Sequence, residues 1–121
     1  MIFAFDLDNT LCEPINSGKN CKDMLKLKPY KNTINSLNCL YKKGHTIIIF
    51  THRSKKCKKE TIKWLKNNNI KHHKLIMNKP KYDLLIDDKS IPPYSYLSGK
   101  ILEEYSRIIA DFKMNFRLPD F

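Results

Sequence analysis

The stretch Ile2-Phe3-Ala4-Phe5-Asp6-Leu7-Asp8-Asn9-Thr10-Leu11 opens with four apolar residues and then turns acidic. A short apolar run with no polar alternation reads as a strand buried on both faces, the kind found inside a parallel sheet. Its carboxyl end delivers Asp6 and Asp8. Working outward, the pattern recurs. Residues 46–50 are a second apolar strand ending at Thr51, 74–77 a third, and 82–86 a fourth ending at Asp87-Asp88.

The segments between these strands carry helical spacing. Ile34, Leu37, Leu40 and Tyr41 share a face after Pro29, and Gly44 is a natural stop. Ser54 is suited to cap a helix over about 55–67, lysine-rich outside, with Ile62 and Leu65 on its inner face and Trp64 at its flank. Pro92-Pro93 marks a turn before a last helix over about 99–112. Strands alternating with helices predict an α/β fold, a Rossmann-like parallel sheet with helices on both faces. Residues 11–28 lack a sustained period and contain Pro14, Asn16, Ser17 and Gly18, so they read as a flap; residues 113–121 read as a tail. The length of 121 residues suits a single domain over residues 1–121.

In open parallel sheets, ligands bind beyond the carboxyl ends of the strands. Asp6, Asp8, Thr51, Asp87 and Asp88 are all expected at that edge. Converging carboxylates repel one another unless a cation or protons relieve them. Hard oxygen donors at this density favour Mg²⁺, which keeps coordination positions for water and phosphate. A carboxylate at Asp6 attacking phosphorus needs such a metal, because two anions must meet. Asp8 is placed to protonate the leaving oxygen and then activate water. The hydroxyl of Thr51 and the ammonium of Lys79 are candidates to hold the phosphoryl oxygens. Arg53, just past the second strand, is a candidate grip on an anionic group of the substrate.

These residues resemble the four motifs of the haloacid dehalogenase (HAD) superfamily. Asp6-Leu7-Asp8-Asn9-Thr10 resembles its D-x-D-x-T signature, and Ile47-Ile48-Ile49-Phe50-Thr51 its second motif. Lys79 in Asn78-Lys79-Pro80 resembles the third, and Leu84-Leu85-Ile86-Asp87-Asp88 the fourth. The match runs over residues 2–92, about three quarters of the chain. The resemblance implies an Mg²⁺-dependent phosphatase working through an aspartyl-phosphate on Asp6, with Asp8 as general acid/base. It implies Thr51 and Lys79 as phosphoryl ligands. It implies Asp6, Asp8 (through its carbonyl), Asp87 and Asp88 as the metal's ligands. The later Thr51-His52-Arg53, Lys79-Pro80 and Ile86-Asp87-Asp88-Lys89-Ser90-Ile91 are similar to small capsule- and polysaccharide-locus phosphatases of that superfamily, which implies a sugar phosphate as substrate. The gap between Leu11 and Pro29 and that between Thr51 and Lys79 leave no room for a cap domain. An open site fits a small phosphate ester or a larger anionic substrate. A nucleotide or polynucleotide-end phosphatase is the alternative, and a non-catalytic binding module with the same fold is a third reading.

The net charge of +11 invites a nucleic-acid partner. Yet 20 of the 23 basic residues are lysine, and lysine, asparagine and isoleucine fill 45 of 121 positions, as an A/T-rich coding sequence would produce. Charge alone therefore predicts steering of anionic substrates without identifying one. Cys12, Cys21, Cys39 and Cys57 show no C-x-x-C spacing, and four reduced thiols in a cytoplasmic protein are expected. No signal peptide or membrane-spanning run is visible in the sequence. His52, His72 and His73 lack acidic or cysteine partners at metal-binding spacing and are expected to be surface or strand-end residues.

Overall fold

The computed structural model describes residues 1–15, 20–93 and 99–115. Among these, three strands form one parallel sheet: β1 (Ile2–Phe5), β2 (Thr46–Phe50) and β3 (Lys74–Ile76), in the order β1-β2-β3. Phe3 lies opposite Ile47 and Phe5 opposite Ile49; Ile49 in turn pairs with Leu75. The helices are α1 (Lys31–Lys42), α2 (Lys58–Asn67) and α3 (Gly99–Asn115). Short 3₁₀ turns occupy Cys21–Lys26 and Lys55–Cys57. The expected α/β architecture with a parallel sheet is observed.

The core follows from strand alternation. Phe5, Ile47 and Ile49 point to one face and meet Ile34, Leu37 and Leu40 of α1 and Trp64 and Leu65 of α2. Leu37, Leu40, Ile47, Ile49 and Leu65 have no exposed surface; each such side chain contributes roughly 1.5–3 kcal/mol of burial. On the opposite face Ile2 is 71% exposed. In α2 the inward residues are Thr61, Trp64 and Leu65, whereas Ile62, expected inside, is half-exposed. The 3₁₀ turn at Lys55–Cys57 precedes the helix and sets its rotational phase, which periodicity read from residue 55 misses. Gly99 begins α3 where a Cβ would sit 2.5 Å from Cβ of Cys39, so the absence of a side chain permits α3 to close on α1.

Three expectations are corrected. Residues 82–86 form no strand: they pair with no strand among the described residues, and Leu84 and Ile86 are 79% and 91% exposed. An apolar run marks a segment able to pair; the ladder itself comes from a neighbouring edge, and β1 has one hydrogen-bonded neighbour among the described residues. The thiols are not all free. Cys21 and Cys57, 36 residues apart, form a disulfide that ties the turn inside the flap to the start of α2, while Cys12 and Cys39 stay free. Pairing depends on Cα separation, here 5.2 Å, which spacing along the chain does not report. The flap itself is partly built: a reciprocal Asn20–Asp23 capping box orders its turn. It is anchored by a Cys12–Pro29 bridge and by the Trp64 indole N–H donating to the Leu27 carbonyl at 2.9 Å. Residues 16–19 of the flap and 116–121 of the expected tail lie outside the described residues; 113–115 continue α3.

Candidate active site

Each strand end is re-aimed by a local device. After β1 the chain curls, and the N–H groups of Thr10, Leu11 and Cys12 all converge on the Leu7 carbonyl. Asn9 makes this curl possible by taking φ of 60°, a left-handed conformation that asparagine tolerates better than most side chains. The strand therefore ends at Asp6, and Asp8 leaves it on a different heading. After β3, Asn78 takes the same conformation, with φ of 58°. Its N–H donates to the Arg53 carbonyl, and the Lys79 N–H donates to the Thr51 carbonyl, both at 2.9 Å. These two bonds stitch the loop after β3 to the loop after β2 and fix Lys79 beside Thr51.

Lys79 reaches across from there to Asp6, its Nζ 3.7 Å from Oδ1. The Lys79 side chain is 9% exposed and lies over the Phe50 ring, 4.8 Å from its centroid, with Tyr82 on its other flank at 5.6 Å. Aromatic faces and a carboxylate thus hold an ammonium that would be costly to bury alone. Asp6 keeps 39% of its side chain open and faces a cleft of about 1280 Å³. Lys79, Asp87 and Asp88 line the same cleft. Asp6, Lys79 and the acid pair thus line one cleft.

Three expected members, Asp8, Thr51 and Arg53, stand outside the cleft lining. Thr51 is at the strand end but 1% exposed, away from the cleft lining, and its Oγ1 accepts from the Arg53 N–H at 3.2 Å. Arg53 does not face the cleft. It is buried, and its guanidinium grips Asp8 with both arms: Nε donates to Oδ2 at 2.9 Å and one terminal nitrogen donates to Oδ1 at 2.7 Å. The other terminal nitrogen donates to Oγ1 of Thr61 at 3.0 Å. A planar fork matched to a carboxylate is the geometry for which arginine differs from lysine. The expected grip of Arg53 on substrate is replaced by a grip on Asp8. Its cause is tertiary: α2 supplies Thr61, and the curl after β1 supplies Asp8.

Cys12 completes this buried knot. Its Sγ lies 3.5 Å from Oδ1 of Asp8 and 3.9 Å from the Arg53 guanidinium. Burial first, and then the negative charge of Asp8, push its thiol from 9.0 up to about 12, so it stays protonated and unreactive at neutral pH. Cys12, Thr61 and the asparagines at 9 and 78 were not singled out by sequence reasoning. A scarce arginine among many lysines, placed two residues beyond a strand-end threonine, is the one signal that pointed to this knot.

Asp6, Asp87 and Asp88 present hard oxygen donors to one cleft, which fits a divalent cation such as Mg²⁺ in donor type. They are not drawn into a ligand cluster: among the described residues no three acidic, histidine or cysteine side chains converge closely enough to hold a metal. His52 and His72 bond to backbone carbonyls, and Nδ1 of His73 accepts from the Ile47 N–H. No helix among the described residues is long and apolar enough to cross a membrane.

Comparison with known proteins adds a family and a fold. A family model described as polynucleotide kinase 3 phosphatase matches residues 1–100. A solved structure of a Vibrio cholerae protein, determined as a structural-genomics target, superposes with a TM-score of 0.71. It is 21% identical, with 91% of this chain and 97% of that one covered, and so speaks to the fold alone. No curated protein matches the chain.

Proposed function

The chain belongs to the polynucleotide kinase 3 phosphatase family, and on that premise we propose that it removes the terminal phosphate from the 3′ end of a polynucleotide. The carrying observation is the pairing of Asp6 with Lys79 at the mouth of an open cleft, 3.7 Å apart. A half-exposed carboxylate beside a fixed ammonium is a nucleophile next to a site for phosphoryl oxygens. The family turns the reading from the sugar phosphates that the short motifs resemble toward polynucleotide ends. The absence of a cap fits that turn, because a polymer end must enter and the rest of the strand must stay outside.

In the proposed reaction the Asp6 carboxylate attacks phosphorus and the bond from phosphorus to the 3′ oxygen breaks. Asp8, whose two oxygens must first leave the Arg53 fork to carry a proton, gives that proton to the departing oxygen and takes one back from the attacking water. Water then displaces Asp6 from the aspartyl-phosphate, giving inorganic phosphate. Lys79 holds the phosphoryl oxygens, and Thr51 shapes the loop that carries Lys79. Asp6, Asp87 and Asp88, with the Asp8 carbonyl, would hold Mg²⁺, which supplies charge neutralisation between the two reacting anions. Arg53 anchors Asp8 at the side of the site. The HAD-superfamily motifs and the order of residues along the sheet support this assignment.

The test is phosphate release from a 3′-phosphorylated oligonucleotide, with Mg²⁺, with EDTA, and with Asp6→Asn. Release that EDTA and the variant both abolish is expected. Equal release from a sugar phosphate and no preference for the oligonucleotide would overturn the substrate assignment. Undiminished release by Asp6→Asn would overturn the mechanism.

A further inference from the structure

The densest charge in the chain lies on the element that leaves the candidate site. Residues 55–66 contain six lysines, Lys55, Lys56, Lys58, Lys59, Lys63 and Lys66, and one acid, Glu60. All six are exposed. None has a carboxylate within ion-pair distance among the described residues, whereas Lys43, Lys79, Arg53 and Arg107 each do. Glu60 does not compensate them, since its Oε2 is buried. Like charges at helical spacing, as in Lys59–Lys63, cost a helix stability and return nothing within the fold. A coding bias toward lysine would scatter the residues over the surface; half of a twelve-residue stretch is a concentration.

Topology gives this stretch a direction. β2 ends at Phe50 beside the cleft, and the backbone N–H of Lys55 donates to Oδ1 of Asn78, next to Lys79. Because β2 and β3 are parallel, α2 must run back toward the opposite edge of the sheet. Lys59, Lys63 and Lys66 follow one another along α2 at four- and three-residue steps and form one stripe, with Lys56 in the turn that precedes it, next to the loop that carries Lys79. Ten residues at ~1.5 Å per residue give the stretch from Lys56 to Lys66 roughly 15 Å, the length of about four to five phosphates at the ~3.4 Å axial spacing of one duplex strand.

We propose that this lysine stripe carries the sugar–phosphate backbone of the polynucleotide whose 3′ end lies at Asp6. The proposal rests on the polynucleotide reading above and adds the surface and the polarity of the bound strand. Lysine is suited to it: a mobile point charge binds any phosphate and reads no base, so recognition is independent of sequence.

The experiment measures binding of a 3′-hydroxyl dodecanucleotide by fluorescence anisotropy across a salt series, with turnover of a 3′-phosphorylated dodecamer and of a nucleoside 3′-monophosphate alongside. The triple variant K56Q/K59Q/K63Q is compared with K42Q/K71Q/K74Q, which removes the same charge from exposed lysines at the end of α1, before β3 and at the first residue of β3. Single strands lose affinity with a slope of about −0.7 per neutralised phosphate, so the stripe variant is expected to flatten the salt slope by about 2. Its KM for the dodecamer should rise at least about tenfold, with the nucleotide's unchanged. Equal effects from the two triple variants, or an unchanged slope in the stripe variant, would overturn the stripe. Stripe-dependent binding without turnover of either substrate would uphold it while overturning the phosphatase reading.

Discussion

Replacing Arg53 with methionine removes the fork from Asp8 and leaves a largely buried carboxylate facing apolar atoms. The guanidinium is 1% exposed and Asp8 24% exposed. Breaking one side of a buried ion pair costs about 3–5 kcal/mol. Water reaching the partly open Asp8 offsets some of that, which puts the cost near 3 kcal/mol. With an unfolding entropy of about 2.1 cal/mol/K per residue, this chain's Tm should fall by roughly 12 °C. Arg53→Lys keeps the charge but loses the fork and the bond to Thr61, so an intermediate loss is expected. The assay is thermal unfolding by circular dichroism on a double-mutant cycle with Asp8→Asn. Because the penalty is an orphaned charge, Asp8→Asn should cost much less in the Arg53→Met background than in the native protein. Additive effects, or an Arg53→Met Tm within about 3 °C of native, would refute a structural pairing of the two side chains.

Other outcomes follow from the cysteines. The Cys21–Cys57 bridge closes 36 residues, and the chain-entropy relation assigns such a loop about 4 kcal/mol. Dithiothreitol should lower Tm by about 15 °C; four titratable thiols in unreduced, denatured protein, rather than two, would disprove the bridge. In the folded state iodoacetamide at pH 8 should label Cys39 and spare Cys12 until the protein unfolds, as mass spectrometry of digests would show. The raised Cys12 also sets an alkaline limit. Below pH 9 the thiol is neutral folded and unfolded; between 9 and about 12 only the unfolded chain gives up the proton. Stability should then decline with rising pH by on the order of 1 kcal/mol per unit, and Cys12→Ser should flatten that decline.

Much of the framework was legible along the chain. β2 falls at the expected residues, α1 on the expected face, and Asp6, Lys79 and the Asp87-Asp88 pair reach one cleft. Apolar runs and helical periods are local properties, and the parallel-sheet rule carries them to a common edge. Residues 82–86 show the limit: their composition suits a strand, but docking depends on an edge that their own sequence does not encode. The paired cysteines show another, since residues 36 apart meet only after the flap packs on α2.

By itself, then, the sequence determined β2, the buried face of α1 and the candidate residues for the chemistry, because residue type and spacing are written in one dimension. The tertiary structure alone decided what each charged group faces. Arg53 and Asp8 are 45 residues apart, and nothing near either one specifies the other. Only the curl at Asn9, the stitch at Asn78 and the seat offered by Thr61 turn an arginine expected at the substrate onto the acid beside it. Ion pairing depends on distance and burial, and both are properties of the folded chain.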